Sequence, residues 1–249
     1  MMNLPNSPNF IEQYTWAEFV TSSELLCGQD WLSFGGEPRT RELLSQLNLQ
    51  PGMRMLDIGC GCGGSAFFAA QNYGLLVDGL DAIARHIEQA IARATELELD
   101  QAVNFEQADI FQWRSHHQYD LVFSLDTFAH IHHKPHLLQV IKQCLKPGGI
   151  LLFEDYCLGK PTLEMFDYAA KYDYDMIHIQ QYCAYLRHAG FSIIAATDIS
   201  DNLLQYSQAI YEKAQELDLQ LWVEVLETRI KRILDKQHIF GRFHCQLND

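Results

Sequence analysis

Apolar and polar residues follow one another along the chain in blocks that alternate between strand and helix character. The blocks of strand character lie near 53–58, 75–80, 103–107, 119–124 and 149–155. The blocks with helical periodicity lie near 64–73, 83–97 and 134–145. This alternation is typical of a parallel sheet with helices on both faces, so it predicts a doubly wound α/β fold.

The two ends of the chain extend this pattern. A sixth strand is predicted over 191–196, after the helix-ending residue Gly190, and an antiparallel last strand over 240–245. An apolar stripe between about 203 and 236 predicts helix, as does the region from 10 to 47 before the first strand. We therefore predict a seven-stranded Rossmann-like sheet that is preceded by helices.

The 249 residues are expected to form one domain over 1–249, because no repeat, low-complexity tract or linker divides them. Within it, residues 1–50 are interpreted as a helical N-terminal lid. Residues 156–190, between strands five and six, are interpreted as a tyrosine-rich insertion on the substrate side.

A glycine-rich turn follows the first predicted strand and contains Gly59, Gly61, Gly63 and Gly64. Glycines allow the backbone to approach a ligand closely, and ligands of doubly wound sheets bind at the carboxyl ends of the strands. The spacing Gly-x-Gly-x-x-Gly also fits dinucleotide-binding proteins, although a single match of this kind is weak.

Three acidic residues at the ends of successive strands distinguish between ligands. Asp57 lies two residues before the first glycine, where its charge would repel a diphosphate. Asp81 is placed to accept hydrogen bonds from ribose hydroxyls, and Asp109 from an adenine amine. This arrangement favours the cation S-adenosylmethionine (SAM) over NAD, with a NAD-binding oxidoreductase as the alternative.

Two motifs resemble those of class I SAM-dependent methyltransferases. They are Leu56-Asp57-Ile58-Gly59-Cys60-Gly61 and Leu145-Lys146-Pro147-Gly148-Gly149. The resemblance implies SAM as cofactor, S-adenosylhomocysteine as product and no metal. The predicted cofactor-binding residues are Ser33, Asp57, Gly59, Cys60, Gly61, Asp81, Ala82, Asp109, Ile110 and Ser124.

Charge and hydropathy exclude other classes of partner. The formal net charge is −14 and no dense basic run occurs, which argues against nucleic-acid binding. No apolar run reaches the roughly 18 residues of a membrane helix, and the start of the chain does not resemble a signal peptide. The seven scattered cysteines fit free thiols. We expect a cytoplasmic protein with a small-molecule substrate, and the sequence leaves its oligomeric state open.

The candidate catalytic residues lie directly after the fourth strand. Methyl transfer to an amine needs the amine's proton removed and its lone pair held in line with the methyl group. Asp126 and His130 are four residues apart, so a helical turn would place both on one face towards the crevice. We predict that Asp126 attracts a cationic amine and that His130 accepts its proton. A lone histidine is more often structural, and the acid one turn earlier favours a catalytic role here.

The chain further resembles the phosphoethanolamine methyltransferases and the methyltransferase domain of ovothiol synthases. The matching segments are Glu12-Gln13-Tyr14, Ser33-Phe34-Gly35-Gly36, Asp126 with His130, Asp155-Tyr156-Cys157, and Phe240-Gly241 with Phe243. This resemblance implies a catalytic dyad of Tyr14 and His130, with Tyr14 on a mobile lid.

The chain departs from that family at two positions, one after the fourth strand and one at the family's phosphate site in the tyrosine-rich insertion. Leu125 and Tyr172 stand where the family usually has arginines, which leaves Lys171 and Lys236 as candidate cations. Losing a bidentate guanidinium weakens phosphate recognition, so a small amine or imidazole is favoured over phosphoethanolamine itself. The predicted substrate-binding residues are Tyr156, Tyr168, Tyr172, Tyr174 and Lys236. The tyrosines either surround an ammonium group or simply pack the insertion.

The leading hypothesis is therefore a SAM-dependent N-methyltransferase acting on a small polar amine or imidazole, similar to phosphoethanolamine or thiohistidine. One alternative is methylation of a thiol or carbon by the same fold. Another is a protein that binds SAM without turnover.

Overall fold

The computed structural model describes residues 16–115 and 117–248. The strands are β1 (Arg54–Ile58), β2 (Leu76–Asp81), β3 (Val103–Gln107), β4 (Tyr119–Leu125), β5 (Leu145–Leu158), β6 (Phe191–Asp198) and β7 (His238–Leu247). The helices are α1 (Trp16–Cys27), α2 (Gly36–Leu44), α3 (Gly64–Tyr73), α4 (Ala84–Glu96), α5 (Lys134–Cys144), α6 (Leu163–Lys171), α7 (Ile179–Ala189), α8 (Ser200–Glu216) and α9 (Gln220–Leu234). A short 3₁₀ turn spans Phe128–His130.

The seven strands form one sheet in the order β3-β2-β1-β4-β5-β7-β6, which confirms the predicted Rossmann-like fold. Strands β1 to β5 pair in parallel, and β7 lies antiparallel between β5 and β6. The strand order reverses between β1 and β4, so the connections leave these two strands in opposite directions. Reversal of this kind opens a crevice at the carboxyl ends of the strands.

The strands of the centre are buried on both faces. Met55 and Leu56 are neighbours in β1 and point to opposite faces, yet both are completely buried. Each belongs to a different apolar cluster, with Leu121 of β4 beside Met55 and Val122 beside Leu56. Full burial of such side chains contributes roughly 1.5–3 kcal/mol each, so helices on both faces stabilise the sheet.

Two boundaries differ from the predictions. Strand β5 begins at Leu145, because the Lys-Pro-Gly-Gly turn lies in a bulge between the pairs Tyr119–Leu145 and Leu121–Ile150. The helical region near 203–236 divides into α8 and α9 at Asp218, whose φ is 54°. Neither glycine nor proline marks that break, so the sequence contains no strong signal for it.

A buried ion-pair network joins α2 to the centre of the sheet. Arg39 donates to both carboxylate oxygens of Asp126 at 2.8 Å and to Glu154 at 2.6 Å. Arg242 of β7 pairs with the other oxygen of Glu154 at 2.5 Å and with Glu42 of α2 at 2.7 Å. The network therefore fixes α2 to the end of β4, to β5 and to β7.

We expect Arg39→Met to lower the free energy of unfolding by about 3–5 kcal/mol, because the change leaves Asp126 without its cation and the buried Glu154 with Arg242 alone. Urea unfolding followed by circular dichroism measures the loss. Arg41→Met is the matched control on α2, since Arg41 is 56% exposed and pairs with the exposed Glu37. Its loss should stay below about 1 kcal/mol, and equal losses in both variants would contradict the expectation.

Candidate active site

A large cavity lies at the carboxyl ends of β1, β2 and β4 and has a volume of about 1990 Å³. Its walls include the turn after β1, the loops after β2, β3 and β4, and residues of α6 and α9. Pockets for single small ligands measure about 300–1,000 Å³, so this cavity has room for a nucleoside and a second small molecule together.

Asp81 organises the turn after β1 from the end of β2. Its Oδ2 accepts a hydrogen bond from the Gly61 amide at 3.0 Å, and its Oδ1 accepts one from the Ile83 amide at 2.9 Å. His86 of α4 lies with Nδ1 at 3.1 Å from the same Oδ1. Asp81 lines the cavity, so the oxygen lone pairs left over from these contacts are available to a ligand.

Asp57 is a buried carboxylate at the end of β1, with only 2% of its surface exposed. Within the described residues its Oδ2 has no hydrogen-bond partner. Burial, together with the charge of Asp81, raises its pKa to about 7. A carboxylate in this state favours a cationic group that enters the cavity beside it.

The other predicted cofactor residues divide into two groups. Those that line the cavity are Ser33, Gly59, Cys60, Gly61, Ala82, Asp109 and Ile110. Asp109 also accepts hydrogen bonds from the Phe111 amide at 2.9 Å and from Gln112 at 3.1 Å, which fix its carboxylate. Ser124 is only 1% exposed, and its hydroxyl donates to the Ile58 carbonyl at 2.7 Å. Ser124 therefore joins β4 to β1 and lies apart from the cavity lining.

The structure corrects the expected setting of Asp126. The residue adopts a left-handed backbone with φ of 57°, and the turn after it is 3₁₀ rather than α-helical. Both of its carboxylate oxygens are bound to Arg39. Its negative charge is thus compensated within the protein, and Asp126 holds the loop after β4 in place instead of offering a free carboxylate to an amine.

His130 closes the 3₁₀ turn and is exposed to the cavity. The Ala129 amide donates to the buried Asp155 at 2.9 Å, and the His130 amide donates to the Thr127 carbonyl at 3.0 Å. The surrounding protein removes the ring from water, which disfavours the charged imidazolium form. The pKa of His130 therefore lies below its ordinary value despite the charge of Asp126. A neutral imidazole at pH 7 is able to accept a proton. Its predicted partner, Tyr14, lies outside the described residues.

Four tyrosines form a continuous aromatic wall beside His130. The ring centres of His130 and Tyr174 are 4.7 Å apart, those of Tyr174 and Tyr156 6.0 Å, and those of Tyr168 and Tyr172 4.8 Å. All four predicted substrate-binding tyrosines line the cavity. Aromatic faces and hydroxyl groups in this arrangement suit an ammonium group.

Two arginines of α9 also line the cavity, and both lie against aromatic rings. Arg229 Cζ lies 4.2 Å from the centre of the Phe34 ring and 5.4 Å from that of Tyr156. Arg232 Cζ lies 3.9 Å from the centre of the Tyr168 ring. Nε and Nη1 of Arg229 and Nε of Arg232 are buried and have no hydrogen-bond partner in the part of the chain that the structure describes.

Comparison with known proteins identifies the family. A family model described as a methyltransferase domain matches residues 49–237. The chain belongs to this methyltransferase family. The matched segment includes the glycine turn, the loop after β4 and both cavity-lining arginines of α9.

The methyltransferase is similar to several proteins whose names specify a substrate. Phosphoethanolamine N-methyltransferase 1 of Zea mays is 37% identical over 196 residues, which cover 78% of this chain and 39% of that protein. Phosphoethanolamine N-methyltransferase of Plasmodium falciparum is 29% identical over 233 residues, which cover 89% of this chain and 86% of that protein. The chain thus spans about two fifths of the length of the plant relative.

Among solved structures, the methyltransferase resembles phosphoethanolamine N-methyltransferase 2 of Haemonchus contortus in complex with S-adenosyl-L-methionine. The TM-score is 0.90 at 24% sequence identity, with 99% of this chain and 61% of that chain covered. Identity this low supports the shared fold alone.

Methyltransferases of this family use SAM, and the residues at the end of β1 fit that cofactor. The buried Oδ2 of Asp57 has no hydrogen-bond partner among the described residues and suits the ammonium group of SAM. Gly59 has φ of 75°, and a Cβ there would lie 2.0 Å from Thr127 Oγ1, so only glycine lets the turn pack against the loop after β4. The turn and the carboxylates thus form a compact site for a cationic nucleoside.

The positively charged side chains that line the cavity of the methyltransferase differ in part from those expected from the sequence. Lys236 follows α9, is exposed and does not belong to the cavity lining, whereas Lys171 lies 5.2 Å from the Tyr172 ring centre and lines the cavity. Arg229 and Arg232 were missed. Their spacing of three within an otherwise apolar helix stripe was the available signal, since it places both on the inward face.

Two further findings concern the described residues of the methyltransferase, 16–115 and 117–248. No helix there has both the length and the apolar character that crossing a membrane requires. Nor do three or more His, Cys, Asp or Glu side chains come together there in a way that would hold a metal ion.

We expect the affinity of the methyltransferase for SAM to fall as the pH decreases through about 7. Asp57 has a pKa of about 7, and its carboxylate form is the one expected to bind the ammonium group of SAM, so acid favours the form that binds weakly. Coupling to one proton gives at most a tenfold loss per pH unit, or roughly 1.4 kcal/mol. Calorimetric titration between pH 5.5 and 8 measures the effect.

Asp57→Asn provides the control for this titration. The variant should bind SAM more weakly than the native protein at pH 8, and its affinity should no longer change near pH 7. An affinity of the native protein that stays constant over the whole range would contradict the role of Asp57.

Proposed function

We propose that this protein is a SAM-dependent N-methyltransferase whose acceptor is a small amine linked to a phosphate, similar to phosphoethanolamine. The observation that carries the proposal is the buried guanidinium of Arg229, whose Nε and Nη1 have no hydrogen-bond partner among the described residues. Leaving buried charged donors unpaired is unfavourable, and a phosphate group supplies the matching acceptors. The names of the Zea mays and Plasmodium falciparum relatives support the same acceptor class.

This proposal reverses the preference drawn from the sequence. The apparent loss of an arginine at Tyr172 had favoured an acceptor without phosphate. Arg229 removes that objection, because it brings a guanidinium to the same cavity from α9 instead of from the insertion.

The contacts along the cavity wall support a single extended acceptor. The ring of His130 contacts that of Tyr174, Tyr174 neighbours Tyr156, and Arg229 lies over Tyr156. An acceptor with its amine towards His130 and its phosphate towards Arg229 would lie against these rings. The tyrosine faces attract an ammonium group during binding without supplying a carboxylate that would hold its proton.

The chemistry follows from the groups at the two ends of this wall. When bound, SAM supplies an electrophilic methyl group on a sulfonium. His130 takes the proton of the amine, which frees the nitrogen lone pair for attack. Arg39 fixes Asp126, and Asp155 fixes the Ala129 amide, so the turn that bears His130 stays in one position. Arg229 anchors the phosphate and thereby orients the amine.

An acceptor panel tests the proposed function. The protein is incubated with SAM and phosphoethanolamine, ethanolamine or thiohistidine, and S-adenosylhomocysteine and the methylated product are measured by mass spectrometry. We expect turnover of phosphoethanolamine at least 100-fold above that of ethanolamine. Equal rates with ethanolamine, turnover of thiohistidine alone, or no S-adenosylhomocysteine with any acceptor would overturn the proposal.

His130→Ala should reduce methyl transfer by about 10²–10⁴-fold, because the variant lacks the proton acceptor. Its affinity for S-adenosylhomocysteine should stay within threefold of that of the native protein, since the cofactor end of the cavity is unchanged. His132→Ala is the control, because His132 is an exposed neighbour that pairs with Asp173 at 3.1 Å. Unchanged turnover of His130→Ala would exclude His130 from the mechanism.

Tyr14→Phe tests the dyad that the family resemblance implies. We expect a smaller loss of turnover than in His130→Ala, because the proton acceptor remains and only the hydroxyl of the expected lid is removed. Steady-state rates with phosphoethanolamine measure the change. Activity equal to that of the native protein would reduce Tyr14 to a packing residue.

A further inference from the structure

We propose that Arg232 is a second phosphate-binding residue of the acceptor site, so that α9 supplies a pair of guanidinium groups for one phosphate. The inference rests on the proposed function, because it concerns the phosphate of the same acceptor. Arg232 would then be a specificity-determining residue. The two arginines together would select an amine that carries a doubly charged phosphate monoester over amines that carry a single negative charge or none.

Arg232 lies close to Arg229 in the lining of the cavity. Arg229 and Arg232 are three residues apart on α9, and both line the cavity. The side chain of Arg232 is only 11% exposed, and its Cζ lies 3.9 Å from the centre of the Tyr168 ring. Contact with the ring holds the guanidinium face and leaves its N–H edge to bind acceptors.

Within the part of the chain that the structure describes, Arg232 has only a weak ion-pair partner. Its Nε is buried without a hydrogen bond to any described residue. The Oε1 of Glu164 lies 3.9 Å from Nη2, beyond hydrogen-bonding distance, and Glu164 is 55% exposed. A pair at that distance with one exposed partner contributes little, so Glu164 leaves the guanidinium available to a further acceptor.

The charges around Arg229 and Arg232 also favour an anion at this place. Two guanidinium groups on one helix face repel each other, and a dianion that binds both would relieve the repulsion. Glu164, Asp167 and Lys171 of α6 also line the cavity, and all three are exposed to solvent. Their charges are therefore screened, whereas those of the two arginines act in a less polar environment.

A buried histidine next to the tyrosines is consistent with the positive charge of Arg229 and Arg232. His238 of β7 is buried, with its ring centre 4.8 Å from that of Tyr156 and 6.0 Å from that of Tyr168. Burial, together with the positive charges of Arg229 and Arg232, lowers its pKa to about 3. His238 therefore stays neutral and neither adds to nor compensates the charge of the pair at physiological pH.

Phosphocholine binding measures the role of Arg232 directly. Phosphocholine has a fully methylated nitrogen, so it probes phosphate recognition without being consumed. In the presence of S-adenosylhomocysteine, we expect Arg232→Gln to weaken its binding by about 10–100-fold, the range for losing a charged hydrogen bond. The KM for phosphoethanolamine should rise by a similar factor, with kcat changed less than threefold.

Lys231→Gln is the matched control, since Lys231 is the neighbouring residue on α9, has the same charge and is exposed between α8 and α9. Its binding of phosphocholine should equal that of the native protein. Arg232→Lys keeps the charge but loses the planar fork of donors, so it should give an intermediate affinity.

A rescue variant separates recognition from folding. The ring centres of Tyr168 and Tyr172 are 4.8 Å apart, so an arginine at 172 can bring its guanidinium close to the Tyr168 ring. Adding Tyr172→Arg to Arg232→Gln should restore phosphocholine affinity to within about threefold of the native value. A fold damaged by the loss of Arg232 would not recover in this way.

The outcomes distinguish the two proposals. If the native protein neither binds phosphocholine nor methylates phosphoethanolamine, the proposed function fails, and the role of Arg232 fails with it. If the native protein binds phosphocholine and Arg232→Gln binds it equally well, only the role of Arg232 is overturned.

Discussion

The ion pair between Arg39 and Asp126 determines the shape of the site. A non-glycine residue with a left-handed backbone is disfavoured by roughly 1–3 kcal/mol, and Asp126 adopts that conformation at the end of β4. Two hydrogen bonds from a completely buried guanidinium hold it there. The chain consequently leaves the strand in a sharp turn, and His130 faces the cavity. A buried ion pair is weak evidence for stability, but here it fixes a geometry.

Charge is divided between the two ends of the cavity. Asp57, Asp81 and Asp109 lie at the ends of the strands, whereas Arg229 and Arg232 lie on α9. In the proposed reaction, the cationic cofactor is therefore attracted to the carboxylates and the phosphate of the acceptor to the arginines, and each is repelled from the place of the other. The tyrosines between the two ends have no fixed charge, which suits the region where a cation and an amine react.

The sequence predicted the features that depend on local pattern. Strand periodicity and the glycine turn define β1 to β5, and acids at strand ends indicate the cofactor site, because the carboxyl ends of parallel strands share one edge. No local pattern predicts the ion pairs of Arg39, since it is 87 residues from Asp126 and 115 from Glu154 in the chain. The helical turn expected from Asp126 to His130 failed for the same reason: a long-range ion pair overrides the local preference. The cation at Arg229 was missed because its helix resembles an ordinary apolar stripe.

The compensation of Asp126 also bears on how an amine loses its proton. A free carboxylate beside the acceptor would stabilise the ammonium form and raise the pKa of the amine, which opposes its reaction with a methyl donor. Arg39 weakens that influence, while removal from water and the positive charges of Arg229 and Arg232 act in the opposite direction. The pKa of His130 is itself lowered by its surroundings. In the proposed reaction, the protein therefore reduces the difference between the pKa of the amine and that of His130. It does so by lowering the pKa of the amine and not by making His130 a stronger base. Aromatic faces are then the suitable walls, since they attract the cation on entry and do not retain its proton.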